Sequence, residues 1–241
     1  MTSPQFTYVG TELELFARAV HWKRYVADLL APHISGRVLE VGAGIGSNTG
    51  YLAEVSTFAS WECLEPDGSQ ADVIRDKIAA GQMPAGCTVA VGTLADAPPD
   101  ARYDTILYLD VLEHIRDDGA EVALAAAHLA RNGRLIVLGP AHNWLFTPFD
   151  ERIGHYRRYS RRSLAALTVP GLRIKSLRYA DSVGMVASLA NRLLLSASMP
   201  TDRQIQVWDQ CMVPISRVSD RLLMGSLGKS VIGVWERNTA E

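Results

Sequence analysis

Val38-Leu39-Glu40-Val41-Gly42-Ala43-Gly44-Ile45-Gly46 is the most informative run in the chain. A short apolar strand runs straight into three glycines at alternate positions, and helix-like sequence follows to about Glu54. Glycines at a strand-to-helix turn let the backbone come close to a ligand, and the helix N-terminus adds N–H donors. The spacing is GxGxG rather than the GxGxxG of dinucleotide folds. Glu65 closes the next strand, where a carboxylate can accept hydrogen bonds from both hydroxyls of a ribose.

On either side of this run the pattern repeats. Before it, Leu13, Leu15, Phe16, Val20, Tyr25, Val26, Leu29 and Leu30 recur at three- and four-residue steps, predicting one amphipathic helix from Glu12 to about Pro32. After it, strands are expected at 58–64, 87–91, 104–109 and 133–138, with helices at 69–80 and about 119–130. Strands that are apolar throughout and alternate with helices predict a parallel sheet covered on both faces. The rhythm then breaks: a strand is expected at 172–179, helices at 183–198 and 204–225, and a last strand at Ser230 to Trp235.

Composition fits this reading. The chain has 241 residues, 48% hydrophobic and 21% charged, which suits one domain with a sizeable core. The 24 Lys+Arg against 26 Asp+Glu leave a net charge of −2, which disfavours nucleic acid as a partner. Cys63, Cys87 and Cys211 are scattered without CxxC spacing, which argues against a disulfide frame or zinc site and suits a reducing cytoplasm. The N-terminus has no signal-peptide pattern, and the apolar stretch 180–199 is too interrupted by polar residues to span a bilayer.

With Glu40-Val41-Gly42-Ala43-Gly44-Ile45-Gly46 followed by Leu64-Glu65-Pro66-Asp67, the chain resembles class I S-adenosylmethionine-dependent methyltransferases, over about residues 10–165. The resemblance implies an α/β, Rossmann-like seven-stranded sheet, mostly parallel with an antiparallel last strand and helices on both faces. It implies S-adenosylmethionine as cofactor, with Gly42, Ala43 and Gly44 under its methionine part, Glu40 holding the loop, and Glu65 with Pro66 at the ribose. Thr93 and Leu94 would flank the adenine, although many relatives carry Asp where Thr93 stands. Asp110 and Val111 would pass beside the cofactor, and Trp22, with Tyr25, would sit over its cleft.

Asp110, Glu113 and His114 stand at i, i+3 and i+4, which places them on one face if this turn is helical. Such an arrangement can ligate a divalent cation. Similar patterns do so in some ubiquinone-pathway and small-RNA methyltransferases, but relatives without metal use these residues as a buttress, and no metal is expected here.

The segment after the fifth strand borders the acceptor, because ligands of open α/β sheets bind at the carboxyl ends of the strands. Its Phe149-Asp150, followed by Gly154-His155-Tyr156-Arg157-Arg158-Tyr159-Ser160, looks like a signature found among bacterial type 11/12 methyltransferases. His155 is the first candidate for general base, with His142 and His114 behind it. Trp144 and Tyr156 are expected to face the acceptor, and Arg157 and Arg158 to hold a carboxylate or phosphate on it. Ser160 reads as the N-cap of a helix around 161–167.

The expectation is thus a cytoplasmic enzyme, monomer or homodimer, made of one domain over 1–241. Residues 1–35 would form an N-terminal helix or lid, with 140–162 and 180–227 on the substrate side. Methyl transfer goes to a small-molecule acceptor, with slight preference for a hydroxyl. The alternatives are a non-catalytic cofactor-binding subunit supporting a partner protein, RNA methylation through the arginine-rich loop, and, less favoured by the glycine spacing, a nucleotide-dependent oxidoreductase.

Overall fold

The computed structural model describes residues 13–194 and 201–238, without the side chains of 191–194. In chain order the elements are α1 (Leu13–Ala17), α2 (Val20–Leu30), β1 (Ser35–Val41), α3 (Thr49–Val55), β2 (Thr57–Glu65), α4 (Gly68–Ala79), β3 (Cys87–Val91) and β4 (Tyr103–Leu109). There follow α5 (Asp118–His128), β5 (Leu129–Pro140), α6 (Pro148–Arg152), α7 (Arg161–Ala165), β6 (Leu172–Ala180) and α8 (Ser182–Leu194). The chain closes with α9 (Asp202–Val207), a π-helical turn (Trp208–Met212), α10 (Val213–Leu222) and β7 (Ser230–Arg237).

The strands form one seven-stranded sheet in the order β3-β2-β1-β4-β5-β7-β6. The pairs β1–β2, β1–β4, β2–β3 and β4–β5 are parallel, whereas β7 is antiparallel to both β5 and β6. The antiparallel last strand is the one expected. Alternate residues of each central strand enter opposite cores. Val38, Leu107 and Ile136 pack on the side of α2, and Leu39, Tyr108 and Val137 on the side of α5.

Register places the carboxyl ends of β4, β5 and β6 beside the amino end of β7: Pro140 and Ala180 both pair with Ser230. Immediately beyond those ends stand Asp110, His142 and Asp181, at φ of 56°, 66° and 65°. Left-handed backbone at non-glycine residues costs of order 1–3 kcal/mol each and clusters at functional sites.

One sequence expectation is corrected. The single helix expected from Glu12 breaks at Arg18–Ala19 into α1 and α2. The broken ends are satisfied from elsewhere: Lys23 Nζ donates to the carbonyls of Phe16 and Ala17, and the Asp209 carboxylate accepts the N–H groups of His21 and Trp22. The stretch expected to be helical at 204–225 is helical from Asp202 to Leu222, with the π-helical turn set between α9 and α10. Side chains of the apolar run at 193–195, expected in a substrate wall or the core, lie outside the described residues, as does the beginning of the predicted lid, 1–12.

Candidate active site

The glycine loop forms as the sequence requires. Gly42, Gly44 and Gly46 have φ of 66°, 59° and 68°. A Cβ on Gly42 would lie 2.7 Å from Val111 Cγ2, so the loops after β1 and β4 can meet only because residue 42 has no side chain. Gly44 N donates to Glu65 Oε2 at 2.7 Å, and Glu65 Oε1 accepts from Asp67 N at 2.9 Å. Glu65 therefore straps the loop to the end of β2. Each of its oxygens keeps a second lone pair. Burial raises its pKa, and those two backbone N–H groups pull it back.

Glu40 is buried beneath the loop, where its Oε2 accepts from Thr49 Oγ1 at 2.7 Å and Trp61 Nε1 at 3.0 Å. Burial pushes its pKa up to about 7 despite those two donors. Lys77 of α4, which carried no motif signal, donates from Nζ to the Ile45 carbonyl at 2.6 Å. Leu13 of α1 lies over Gly44, within 4 Å of where its Cβ would stand. The Thr93 hydroxyl and N–H both donate to Asp96 Oδ2, closing a small cap just after β3, and Leu94 is fully buried. Trp22 is half-buried and leans on Trp208, with ring centroids 5.7 Å apart. Tyr25 lies in the core with its hydroxyl on Asp220.

These features suit a cofactor with a methionine tail and a nucleoside. The loop is a backbone cradle that a Cβ would fill, and Glu65, at the end of β2, borders it.

The segment after β5 is pinned back onto the sheet. His142 N donates to Tyr159 O, Tyr159 N donates to Pro140 O, and the Tyr159 hydroxyl reaches Asp118 at 2.8 Å. Asp150, almost fully buried, organises its middle. It accepts from the N–H and hydroxyl of Thr147, receives both Nε and Nη2 of Arg158 at 2.8 Å, and lies 2.9 Å from His155 Nδ1. Burial alone would raise the pKa of Asp150, but His155 and Arg158 hold it well below the usual carboxylate range. Arg157 pairs with Asp118 and donates to Arg116 O. The anion contact expected of Arg157 and Arg158 therefore meets a different arrangement: both cations already have carboxylate partners within the protein. Trp144 and Tyr156 are exposed, and Tyr156 lies under the guanidinium groups of Arg116 and Arg157.

His155 packs edge-on to His114, centroids 4.5 Å apart, with its Nε2 3.8 Å from Glu113 Oε1. Glu113 is fully buried, and among the described residues neither of its carboxylate oxygens accepts a hydrogen bond. Burial raises its pKa well above the ordinary value, with Asp110 adding to the effect. Burial lowers that of His114 to about 4, helped by His155. Asp110 itself is open to the cleft. Glu113, His114 and His155 could each offer one ligand atom to a cation, all within 4.8 Å of one another. The sequence had grouped Glu113 and His114 with Asp110, because a three-residue helical turn shows only local neighbours. A proton or a divalent ion could settle the orphaned carboxylate.

Sequence reasoning also passed over Lys229, Asp181 and Trp208. They come from three separate segments, and no spacing links them.

Residues 15–170, more than half of the chain, match the family described as "Methyltransferase domain". The chain is similar to the ubiquinone biosynthesis O-methyltransferase of Bradyrhizobium diazoefficiens, 29% identical over 45% of this chain and 41% of that protein. It is also similar to the demethylmenaquinone methyltransferase of Tropheryma whipplei, 30% identical over 66% of this chain and 63% of the relative. The matched region is thus less than two thirds of either relative. Among solved structures, coclaurine N-methyltransferase bound to N-methylheliamine and SAH superposes with a TM-score of 0.61 at 12% identity, covering 89% of this chain and 72% of that one. The [4+2]-cyclase SpnF gives 0.61 at 14%, covering 90% and 81%. At such identities these two likenesses establish the fold alone.

Proposed function

The chain belongs to the methyltransferase domain family, and from that premise we propose that it transfers a methyl group from S-adenosylmethionine to a small-molecule acceptor, with a hydroxyl as the favoured acceptor atom. The observation that carries this reading is the contact of Gly42 with Val111, which brings the loops after β1 and β4 together around a cradle only bare backbone can form. The names of the quinone-pathway relatives support a small acceptor, and one of them supports oxygen as the atom methylated.

Gly42, Ala43 and Gly44 would carry the methionine part, Glu65 and Pro66 the ribose, and Thr93 and Leu94 the adenine edge. Asp110, Val111 and Trp22 would wall the cleft. When bound, the cofactor supplies an electrophilic methyl group. The protein supplies position, which can contribute several kcal/mol of the barrier. His155 would take the acceptor's proton. Asp150 on its Nδ1 leaves Nε2 as the basic nitrogen, and neutral His114 beside it adds no charge to oppose protonation. The segments 140–162 and 180–227 would form the acceptor side of a single domain.

Calorimetry with S-adenosylmethionine and S-adenosylhomocysteine tests the reading. Wild type should bind both, and Gly44→Asp neither. Failure of the wild type to bind would end the proposal. Transfer of a labelled methyl to a panel of phenols, amines and carbon acids would then fix the acceptor atom.

A further inference from the structure

Arg157 and Arg158 both pair with carboxylates of the protein, and Lys229 is a further cation at the carboxyl edge of the sheet. We propose that Lys229 holds a carboxylate of the acceptor, and so selects acidic acceptors over neutral ones. This rests on the methyltransferase reading above.

The backbone of Lys229 is fixed from two sides. Its N–H donates to the Asp181 carbonyl at 3.1 Å, and its own carbonyl accepts from Ala141 N at 2.7 Å. These bonds join the ends of β5 and β6 at the residue that precedes β7. The adjoining Gly228 carbonyl is held by His142 Nε2 at 3.0 Å. The side chain thus starts from one of the most constrained points of the edge, and rigid backbone is what a recognition group needs.

The ammonium is held more loosely than its backbone. It lies 3.7 Å above the centre of the Trp208 ring and 3.5 Å from Asp181 Oδ2. That carboxylate already receives shorter bonds: Trp208 Nε1 at 2.7 Å on Oδ2, and Ser216 Oγ at 2.6 Å with Gly184 N at 3.0 Å on Oδ1. Asp181 thus draws three neutral donors besides the lysine. The lysine has three N–H donors and, among the described residues, one carboxylate in ion-pair range. A quarter of its side chain is exposed.

Trp208 is buried and carries the ammonium on its ring face. It belongs to the π-helical turn, a distortion found often at functional sites. Trp22 of α2 continues the aromatic wall. A carboxylate reaching the exposed quarter of the Lys229 side chain would take up its remaining donors. A neutral acceptor would leave the ammonium with a single long ion pair.

Benzoate and its neutral counterpart benzamide are the probes. Each is titrated by calorimetry into protein saturated with S-adenosylhomocysteine. Benzoate should bind at least about 10-fold more tightly than benzamide, as expected for one charge-assisted contact. Lys229→Met should bring the ratio close to one while S-adenosylhomocysteine affinity holds, and Lys229→Arg should retain most of the preference. Equal binding of the two probes by wild type, or an unchanged preference in Lys229→Met, overturns the proposal. If Lys229→Met does not fold, the indole N–H signals of the wild type decide. Benzoate should shift that of Trp208 and leave that of Trp61 in place; an unmoved Trp208 signal counts against it. If S-adenosylhomocysteine fails to bind at all, the methyltransferase reading falls, and the two probes compared on the protein alone still judge Lys229.

Discussion

His155 Nδ1 lies 2.9 Å from Asp150 Oδ1, and Arg158 grips the same carboxylate through two nitrogens. One buried anion therefore orients the candidate base and ties down its loop. If His155 is the base, His155→Ala should lower kcat by roughly 10²–10⁴-fold and leave cofactor affinity nearly unchanged. Near-normal turnover would reduce His155 to a prop for the loop. Asp150→Asn should also lower kcat, by freeing the imidazole tautomer, and a normal rate would detach Asp150 from the proton transfer.

Arg158→Met tests the other arm of the pair. Removing one partner of a buried ion pair strands the other, at a cost of about 3–5 kcal/mol. Denaturant melts at neutral pH should register that loss. The difference should shrink as pH falls below the ordinary aspartate range. Asp150 has a depressed pKa, so its contribution is present above the unfolded value of 3.8 and is lost as acid titrates the folded carboxylate. A variant as stable as wild type would mean that the pair adds nothing.

Glu113 behaves in the opposite sense. Its pKa is raised, so the stability it allows is full below 4.5 and erodes as pH rises toward its folded value, because the unfolded carboxyl ionises freely while the buried one resists. Glu113→Gln should therefore be at least as stable as wild type at neutral pH, more clearly so at pH 8 than at pH 5. Activity should survive EDTA if a proton is what satisfies this carboxyl. Loss of activity on chelation, restored by a divalent ion, would instead assign Glu113, His114 and His155 to a metal.

The cradle gives a steric prediction. Gly42→Ala puts a methyl group 2.7 Å from Val111 Cγ2 at a φ that L-residues avoid. S-adenosylhomocysteine affinity should fall at least about 10-fold, or roughly 1.4 kcal/mol. Pairing it with Val111→Ala should recover part of the loss. Glu65→Ala should cost about 1–3 kcal/mol of binding, since it removes both the ribose acceptor and the strap on Gly44. Undisturbed binding in both variants would move the cofactor elsewhere.

The elements were legible where the signal is local. The β1 run ending in glycines, the position of Glu65, the boundaries of β3 and the Ser160 cap can each be read from neighbouring residues. The break between α1 and α2 could not, because its compensations come partly from Asp209, far along the chain. The same limit hid the partners of Arg157 and Arg158. Sequence shows that a loop is cationic but not which carboxylates lie beneath it. Asp150 was within reach: Thr147-Pro148-Phe149-Asp150 has the spacing of a helix cap, and an acid that caps from a buried site can bind a second group. Lys229 had no such signal.

The order of the strands bears on how the protein is made. Among the described residues, β6 has β7 as its only neighbour in the sheet, and β5 has no partner on that side until β7 arrives. A nascent chain can assemble β1 to β4 early, but it must keep two unpaired strand edges apart until residues 230–237 leave the ribosome and slide between them. Exposed edges of that kind invite pairing with other chains. Dependence on chaperones during synthesis, and poor yield of chains truncated before β7, should therefore trace to this last insertion rather than to the cofactor half of the molecule.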